Sequence, residues 1–345
     1  HRRSRRPLSV LIGAGVGIVA LAALVILGLR AAAGPTAPPT AAPTTAASAA
    51  APVSPDQRWF IRAPMIKPRD SFALAAYDPE RKLYVIGGRR GGSVSAAVDR
   101  YDPASDRWVS LADKPTAVSD AGAIMLQGDI YVPGGEDASG RVRDSLEIYN
   151  PRDQQWEQGS PMPAPRSRYA LVAWEGRLYV IGGWDGERAR SEVFIYNPEL
   201  KAWSEGPSLS TPRQGAGSIA AAGRIFVIGG SNEGGALRES LRLDPTGEGA
   251  AWERIAPLPD QGVSQPGVVA PVETILVFDP GRRRGFQYDQ ASDTWADFAI
   301  PDGVTISSKA VLLGPSIYLI DAGAAPSLGA MSEYQAVYTI FIPSR

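Results

Sequence analysis

Tryptophan recurs at a nearly constant interval, and this period constrains the fold more than any other feature of the sequence. Six of the eight tryptophans follow one another at steps of 49, 48, 47, 49 and 43 residues: Trp59, Trp108, Trp156, Trp203, Trp252 and Trp295. Four diglycines keep the same step, at intervals of 47, 48 and 47 residues: Gly87-Gly88, Gly134-Gly135, Gly182-Gly183 and Gly229-Gly230. Such a period indicates a repeat architecture in which each unit is one small supersecondary element.

Each unit contains four short runs that are typical of strands. The run that ends in the diglycine, for example LYVIGG, is apolar and rich in β-branched and aromatic residues, which favours a buried strand. A small or apolar run precedes it, a run ending in tyrosine follows a polar loop, and a fourth run holds the tryptophan. Asp-Pro, Asn-Pro and glycine turns join these runs, so each unit predicts one four-stranded antiparallel sheet.

The order of diglycine, then tyrosine with Asn-Pro or Asp-Pro, then tryptophan resembles the kelch repeat, whose period is near 50 residues. The resemblance implies an all-β fold, a six-bladed β-propeller, because residues 58–345 divide into six units of 48. The strand at Trp59 has no unit before it, and the last unit has no tryptophan. We therefore expect the N-terminal strand to complete the last blade and to close the ring.

Units five and six depart from the pattern, because Asp279 and Asp321 stand where the other units have the first glycine. Two interpretations stay open. The two aspartates could form a functional carboxylate pair at equivalent points of neighbouring blades. Alternatively, each one ends a strand and accommodates the backbone of a turn.

The residues that most often perform catalysis are scarce. The chain has no cysteine, and its one histidine is His1, which excludes a thiol nucleophile, a Ser-His-Asp triad and a cysteine or histidine metal site in the repeats. It also separates the chain from the copper oxidases with kelch propellers, which need histidine ligands and a Cys-Tyr cofactor, and from WD40 repeats with their Gly-His dipeptide. We expect no catalytic residue, metal or cofactor, although a sugar-acid mutarotase or epimerase that works with arginine and carboxylate stays open.

The N-terminal region predicts a membrane anchor. A basic flank over residues 1–7 precedes an uncharged apolar stretch that begins at Leu8 and ends at Leu29; a helix of this length spans a bilayer. We place the membrane helix at residues 8–30, an Ala/Pro/Thr-rich linker at 31–56 and the propeller at 57–345, with a cleaved signal peptide as the alternative. Arginines before the helix predict an N-terminus inside the cell and an extracytoplasmic propeller at the plasma membrane.

Two further expectations concern partners. Gly13 and Gly17 form a GxxxG motif through which two membrane helices could associate as a dimer. Residues 56–345 carry a formal charge of about −6, because all five charged residues before them are arginines and the whole chain is at −1. This acidic balance argues against a nucleic-acid partner.

The resemblance implies that ligands bind at one mouth of the propeller, where the turns into each first strand meet the loops after the diglycines. Candidate contact residues are the following: Arg69, Arg166, Arg168, Arg213 and Asp120 in the turns, and Trp184 and Asp185 in a loop. Arginines at equivalent positions beside a tryptophan suit a carboxylate or a sugar acid. The alternative is structural: a repeating arginine could bind backbone carbonyls between strands or blades.

These observations predict a non-catalytic extracytoplasmic module that binds or senses a protein or carbohydrate ligand at the propeller mouth. Two alternatives remain. One is an exported sugar-acid mutarotase or epimerase. The other is the outer sensor domain of a larger receptor, such as a membrane Ser/Thr kinase, because the sequence starts at His1 and a cytoplasmic domain could precede it.

Overall fold

The computed structural model describes residues 55–247, 249–323 and 327–336. Within these ranges the chain forms an all-β propeller of six blades, each a four-stranded antiparallel sheet. The described residues contain almost no helix: the two short 3-10 helices are Pro55–Arg58 and Asp78–Glu80. The predicted fold class is confirmed.

The strands follow the sequence units in order. Those of the first half of the chain are β1 (Trp59–Arg62), β2 (Ala73–Tyr77), β3 (Lys82–Ile86), β4 (Arg89–Arg90), β5 (Ser93–Val94), β6 (Val98–Asp102), β7 (Arg107–Ser110), β8 (Ile124–Leu126), β9 (Asp129–Pro133), β10 (Leu146–Asn150), β11 (Gln155–Gly159), β12 (Ala170–Trp174), β13 (Arg177–Ile181), β14 (Val193–Asn197) and β15 (Ala202–Gly206). Blade 1 is β2-β3-β6-β7, blade 2 is β8-β9-β10-β11, and blade 3 is β12-β13-β14-β15. Strands β4 and β5 form a separate small hairpin.

The second half repeats this arrangement. Its strands are β16 (Gly217–Ala221), β17 (Arg224–Ile228), β18 (Ser231–Asn232), β19 (Gly235–Ala236), β20 (Ser240–Leu243), β21 (Glu253–Ile255), β22 (Gly267–Val269), β23 (Ile275–Asp279), β24 (Arg284–Asp289), β25 (Thr294–Phe298), β26 (Ala310–Leu313), β27 (Ser316–Ile320) and β28 (Met331–Gln335). Blade 4 is β16-β17-β20-β21, blade 5 is β22-β23-β24-β25, and blade 6 is β26-β27-β28-β1. Strands β18 and β19 form a second small hairpin.

Strand β1 closes the ring, as predicted. It pairs antiparallel with β28, with Trp59 opposite Tyr334 and Arg62 opposite Met331. The Arg62 guanidinium also binds the carboxylate of Glu333 at 2.5 Å. Because the first described strand completes the last blade, the sheet edge of blade 6 is covered by the chain's own N-terminal strand.

The hydrophobic core lies between neighbouring blades. The second strand of each blade is almost wholly buried, as in β23 and β27, where every residue is buried. One core cluster joins Tyr84 and Ile86 of blade 1 to Ile130 and Tyr149 of blade 2. Strands covered on both faces read as continuous apolar runs, which is the pattern of the diglycine segments.

Four of the six periodic tryptophans connect their blade to the segment that precedes it. The indole N–H of Trp203 donates to the Ser160 carbonyl oxygen at 2.8 Å, and Trp252 and Trp295 make equivalent bonds. The Trp203 ring also packs on Tyr196 of its own blade, with centroids 4.9 Å apart. Four of the six periodic tryptophans make this hydrogen bond, whereas Nε1 of Trp59 and Nε1 of Trp156 have no partner among the described residues. The packed indole ring is therefore the feature that accounts for the period.

The diglycine allows two blades to approach closely. Gly134 has φ +57°, and a Cβ built there would lie 2.2 Å from the carbonyl oxygen of Arg166 in the next blade's lead-in turn. Neither the backbone angle nor this space suits a side chain. The glycine is therefore required for blade packing.

The predicted membrane helix, the linker up to residue 54 and the Gly13/Gly17 motif lie outside the described residues. No helix in the described ranges is long and apolar enough to cross a membrane.

Candidate functional site

One residue from each blade surrounds the entrance of the central channel. We call these residues the mouth ring: Ser71, Asp120, Arg168, Gly215, Gln265 and Ser308. Backbone hydrogen bonds join four of the blades here, because the N–H of Asp120 donates to Ser71 (2.8 Å), that of Arg168 to Asp120 (2.8 Å), and that of Gly215 to Arg168 (2.6 Å). The mouth ring is therefore fixed by main-chain contacts between blades.

Three ring residues adopt a left-handed backbone. Ser71, Asp120 and Arg168 have φ of 51°, 55° and 50°, a region that residues other than glycine seldom occupy. Such a conformation costs on the order of 1–3 kcal/mol and persists where surrounding contacts impose it, frequently at binding sites. At the mouth ring, the backbone bonds between blades impose it and aim the side chains.

Asp120 lies between two arginines. Its carboxylate is 3.5 Å from Nε of Arg168 and 4.0 Å from Nη2 of Arg89, and Arg89 also binds Glu136 at 2.6 Å. The Asp120 side chain is only 15% exposed, whereas that of Arg168 is 39% exposed. A shielded carboxylate thus holds an accessible guanidinium at the mouth.

Arg168 has unused hydrogen-bonding capacity. Its Nη1 donates to Oε1 of Gln214 at 3.4 Å and its Nε faces Asp120, while its Nη2 has no partner among the described residues. A guanidinium offers five N–H donors in a planar fork. Arg168 can therefore bind an incoming carboxylate without giving up its present contacts.

Lys309 is a second cation at the same entrance. Its Nζ lies 5.7 Å from the centroid of the Phe72 ring, and within the described part of the chain it has neither a hydrogen-bond acceptor nor an ion-pair partner. Burial lowers the pKa of Lys309, while the charge of Asp120 acts in the opposite direction. Among the described residues, no carboxylate therefore lies within ion-pair distance of the half-buried Lys309 ammonium.

A cavity of about 140 Å³ opens between these residues, lined by the mouth ring except Ser71, together with Tyr169 and Lys309. The buried Tyr169 hydroxyl donates to the Pro133 carbonyl oxygen and accepts the N–H of Gly122 at 2.9 Å. Burial raises the pKa of Tyr169, with the Gly122 bond acting against it. Tyr169 is therefore a fixed wall of the cavity and not an available acid.

Three of the predicted contact residues do not line the mouth cavity. Arg69, Arg166 and Arg213 are buried, at 0%, 2% and 1% exposure. Arg69 donates to the carbonyl oxygens of Gly87 (2.6 Å) and Val85 (3.0 Å) and pairs with Asp99 (2.5 Å). Contrary to the ligand-contact expectation, its guanidinium does not reach the mouth, because strands of its own blade use its donors.

Arg213 and Arg166 repeat this arrangement. Arg213 donates to the Gly229 carbonyl oxygen at 3.0 Å and pairs with Glu239, and Arg166 pairs with Glu192 at 3.2 Å. Burial lowers the pKa of both arginines, against the opposing charge of their glutamates. The structural interpretation of the repeated arginine thus describes all three.

Trp184 and Asp185 lie in a loop after a diglycine, as predicted. The half-buried Trp184 forms backbone bridges with Ser167 and Ala189. Asp185 accepts the N–H groups of Glu187 and Arg188 at 2.8 and 2.9 Å. Burial acts to raise the pKa of Asp185, but these N–H groups hold it below its usual value. Asp185 therefore shapes the loop.

Asp279 and Asp321 do not pair with each other. Asp279 is buried, accepts the N–H of Gly281 at 3.0 Å and binds Arg282 at 2.8 Å. Asp321 accepts the N–H of Gly323 at 2.7 Å. The turn interpretation describes both carboxylates, and the functional pair is not formed among the described residues.

Lys309 is a residue of the mouth that the sequence pattern did not indicate. The available signal was a single lysine at the start of an otherwise apolar first-strand run, SKAVLLG. No group of three or more potential metal ligands occurs within the described ranges.

Comparisons with known proteins agree with the repeat pattern. The family model of the KLHDC2/KLHL20/DRC7 Kelch-repeats domain matches residues 57–206 and 113–266, which together cover more than half of the chain. The chain belongs to the kelch-repeat family. Its four diglycines and its periodic tyrosines and tryptophans are the residues that carry the repeat.

Curated relatives match over short segments. Kelch repeat and BTB domain-containing protein 2 of cowpox virus (strain GRI-90 / Grishak) is 40% identical over 72 residues, 21% of this chain and 13% of that protein. F-box/kelch-repeat protein At5g26960 of Arabidopsis thaliana is 37% identical over 75 residues, 22% of this chain and 18% of that protein. Kelch-like protein 35 of Mus musculus is 31% identical over 90 residues, 26% and 14% respectively. The chain therefore spans less than a fifth of each relative.

The solved "Structure of YjhT" has a TM-score of 0.67 and 17% identity, covering 79% of this chain and 95% of that one. This likeness supports the fold alone.

Proposed function

We propose that this kelch propeller is a non-catalytic binding module that captures a carboxylate group of a protein partner at its mouth. The observation that carries the proposal is Arg168, a partly exposed guanidinium with free donors, held in place by Asp120 and by a left-handed backbone. A positioned arginine binds a carboxylate through two parallel hydrogen bonds. Because the site is already ordered, little conformational entropy is lost on binding.

The size of the mouth cavity favours a side chain over a whole sugar acid. Its volume is about 140 Å³, whereas pockets that enclose a small molecule usually measure about 300–1,000 Å³. A glutamate or aspartate side chain from a partner fits this space while the partner's backbone stays on the rim. The sugar-acid mutarotase alternative is a competing outcome of the test.

Binding of acidic peptides tests the proposal. The full chain held in amphipol is titrated with fluorescent decaglutamate, and with decaglutamine as the uncharged control. We expect decaglutamate alone to bind. Arg168→Asn removes the guanidinium, and asparagine tolerates the left-handed backbone at this position. The variant should weaken decaglutamate binding about tenfold or more, because a hydrogen bond to a charged group contributes about 1.5–3 kcal/mol.

A matched control is Arg107→Gln, which removes an exposed arginine on the outermost strand of blade 1 and should leave affinity unchanged. Equal binding of both peptides, or equal effects of both variants, would contradict the proposal. Catalysed anomeric exchange of N-acetylneuraminate, followed by NMR and lost in Arg168→Asn, would instead support the mutarotase.

We also propose that residues 8–29 hold the propeller on the extracytoplasmic side of the plasma membrane, on the evidence of their apolar run and flanking arginines. Protease treatment of intact cells tests this topology. Digestion of the propeller from outside is the expected result, and protection of the propeller until the cells are lysed would refute it.

A further inference from the structure

An apolar channel continues beneath the mouth ring. Each first strand runs from the ring into this channel, and the residue three positions after each ring residue lines it: Leu74, Ala123, Leu171, Ser218, Val268 and Val311. The volume is about 300 Å³, and Asp78 and Ser218 are the polar residues of its lining. The Ser218 hydroxyl already donates to the Leu171 carbonyl oxygen at 3.0 Å. The walls thus offer aliphatic surface to an occupant.

Lys309 stands where the mouth meets this channel. It lies two residues before Val311, and side chains two apart on an extended chain share a face. Its ammonium has no short-range partner within the described ranges; Phe72 offers only a ring face, at 5.7 Å, and Asp120 acts at longer range. Partial burial of a cation is costly unless an anion accompanies it.

We propose that the channel binds a linear aliphatic carboxylate, with its carboxylate group at the Lys309 ammonium and its hydrocarbon chain among the six first strands. The proposal does not depend on a protein partner at the rim. About 300 Å³ holds roughly ten groups of the size of a water molecule, at ~30 Å³ each, so a chain near ten carbons fits. A sugar acid fits less well, because its hydroxyls would face aliphatic side chains without partners.

Site-mapped photocrosslinking tests the proposal. The full chain in amphipol is irradiated with a decanoic acid that carries a diazirine at its methyl end, and the modified peptides are identified by mass spectrometry. We expect labels on the first strands of the blades, with competition by decanoate and none by decyltrimethylammonium. Labelling confined to other surfaces, or equal competition by both amphiphiles, would overturn the proposal.

Two substitutions at one position separate charge recognition from a structural role. Lys309→Met should weaken competition by decanoate about tenfold or more, because it removes the charged donor of the proposed hydrogen bond to the decanoate carboxylate. Lys309→Glu should reverse the preference, so that decyltrimethylammonium competes and decanoate does not. A variant that had merely lost its fold could not reverse selectivity. Unchanged competition by decanoate in Lys309→Met, or no reversal in Lys309→Glu, would refute the role of Lys309.

Arg168→Asn distinguishes this site from the proposed peptide site. It should weaken decaglutamate binding about tenfold or more and leave decanoate crosslinking intact, since Arg168 lines the mouth cavity and not the channel. If Arg168→Asn removed decanoate labelling as strongly as Lys309→Met, the assignment of the carboxylate to Lys309 would fail.

Discussion

Replacing Arg69 by methionine should destabilise the propeller strongly, although Arg69 is polar and does not line the mouth cavity. Its guanidinium is buried and donates to the carbonyl oxygens of Gly87 and Val85, at 2.6 and 3.0 Å, as well as to Asp99 at 2.5 Å. Asp99 is equally buried, with 1% of its side chain exposed. Methionine fills similar space and leaves the carboxylate without a countercharge.

The magnitude follows from this burial. Removing one partner of a buried ion pair costs about 3–5 kcal/mol, and a carbonyl oxygen left without its charged donor adds to that cost. The Ser110 hydroxyl still donates to Asp99 at 2.6 Å, which limits the loss. We expect the free energy of unfolding to fall by about 3–5 kcal/mol, a large share of the ~5–15 kcal/mol that stabilises a typical domain.

Urea unfolding of the full chain in amphipol, followed by tryptophan fluorescence, measures this change. The exposed Arg107→Met is the matched control and should stay within about 0.5 kcal/mol. The double variant Arg69→Met/Asp99→Leu should recover part of the loss, because an apolar pair can replace a buried ion pair at little cost. A loss below 1 kcal/mol in Arg69→Met, or no recovery in the double variant, would refute the reasoning.

Three further outcomes are expected in the same unfolding assay. Trp203→Phe should cost about 1 kcal/mol more than Trp156→Phe, because the Trp203 indole donates a hydrogen bond whereas Nε1 of Trp156 has no partner; equal costs would contradict this. A hydrogen bond from Arg190 lowers the pKa of Glu192 to about 2. The stability that ionised Glu192 gives to the folded state should therefore be complete above about pH 4.5 and be lost as the pH falls through about 2. Glu192→Gln should show a shallower loss of stability over this range. Gly134→Ala should unfold far more easily than Gly128→Ala, because its Cβ meets a carbonyl oxygen at 2.2 Å while that of Gly128 meets nothing within 4 Å; similar stabilities would refute the packing role.

Much of the fold followed from the repeat. The tryptophan and diglycine period predicted the number of blades and the strands in each, because each period contains the residues of one four-stranded sheet. Ring closure by Trp59–Arg62 was also predictable, since one strand was missing at one end of the repeats and one was extra at the other. The turns at Asp279 and Asp321 could be anticipated only as one of two alternatives.

The site was less predictable, because residues two positions apart in one turn have opposite roles. Arg166 is buried and pairs with Glu192, whereas Arg168 is exposed at the mouth, although both occur in the segment APRSRY. The left-handed backbone of Arg168 depends on hydrogen bonds to neighbouring blades, which a sequence does not show. Lys309 becomes a candidate only in the folded chain, where it lines the same cavity as Asp120.

A crystal structure of the full chain with decaglutamate tests the proposed binding site most directly. We predict a glutamate carboxylate in the mouth cavity, within hydrogen-bonding distance of the Arg168 guanidinium. A peptide bound along the outermost strands of the blades, with the mouth ring unoccupied, would contradict the proposal.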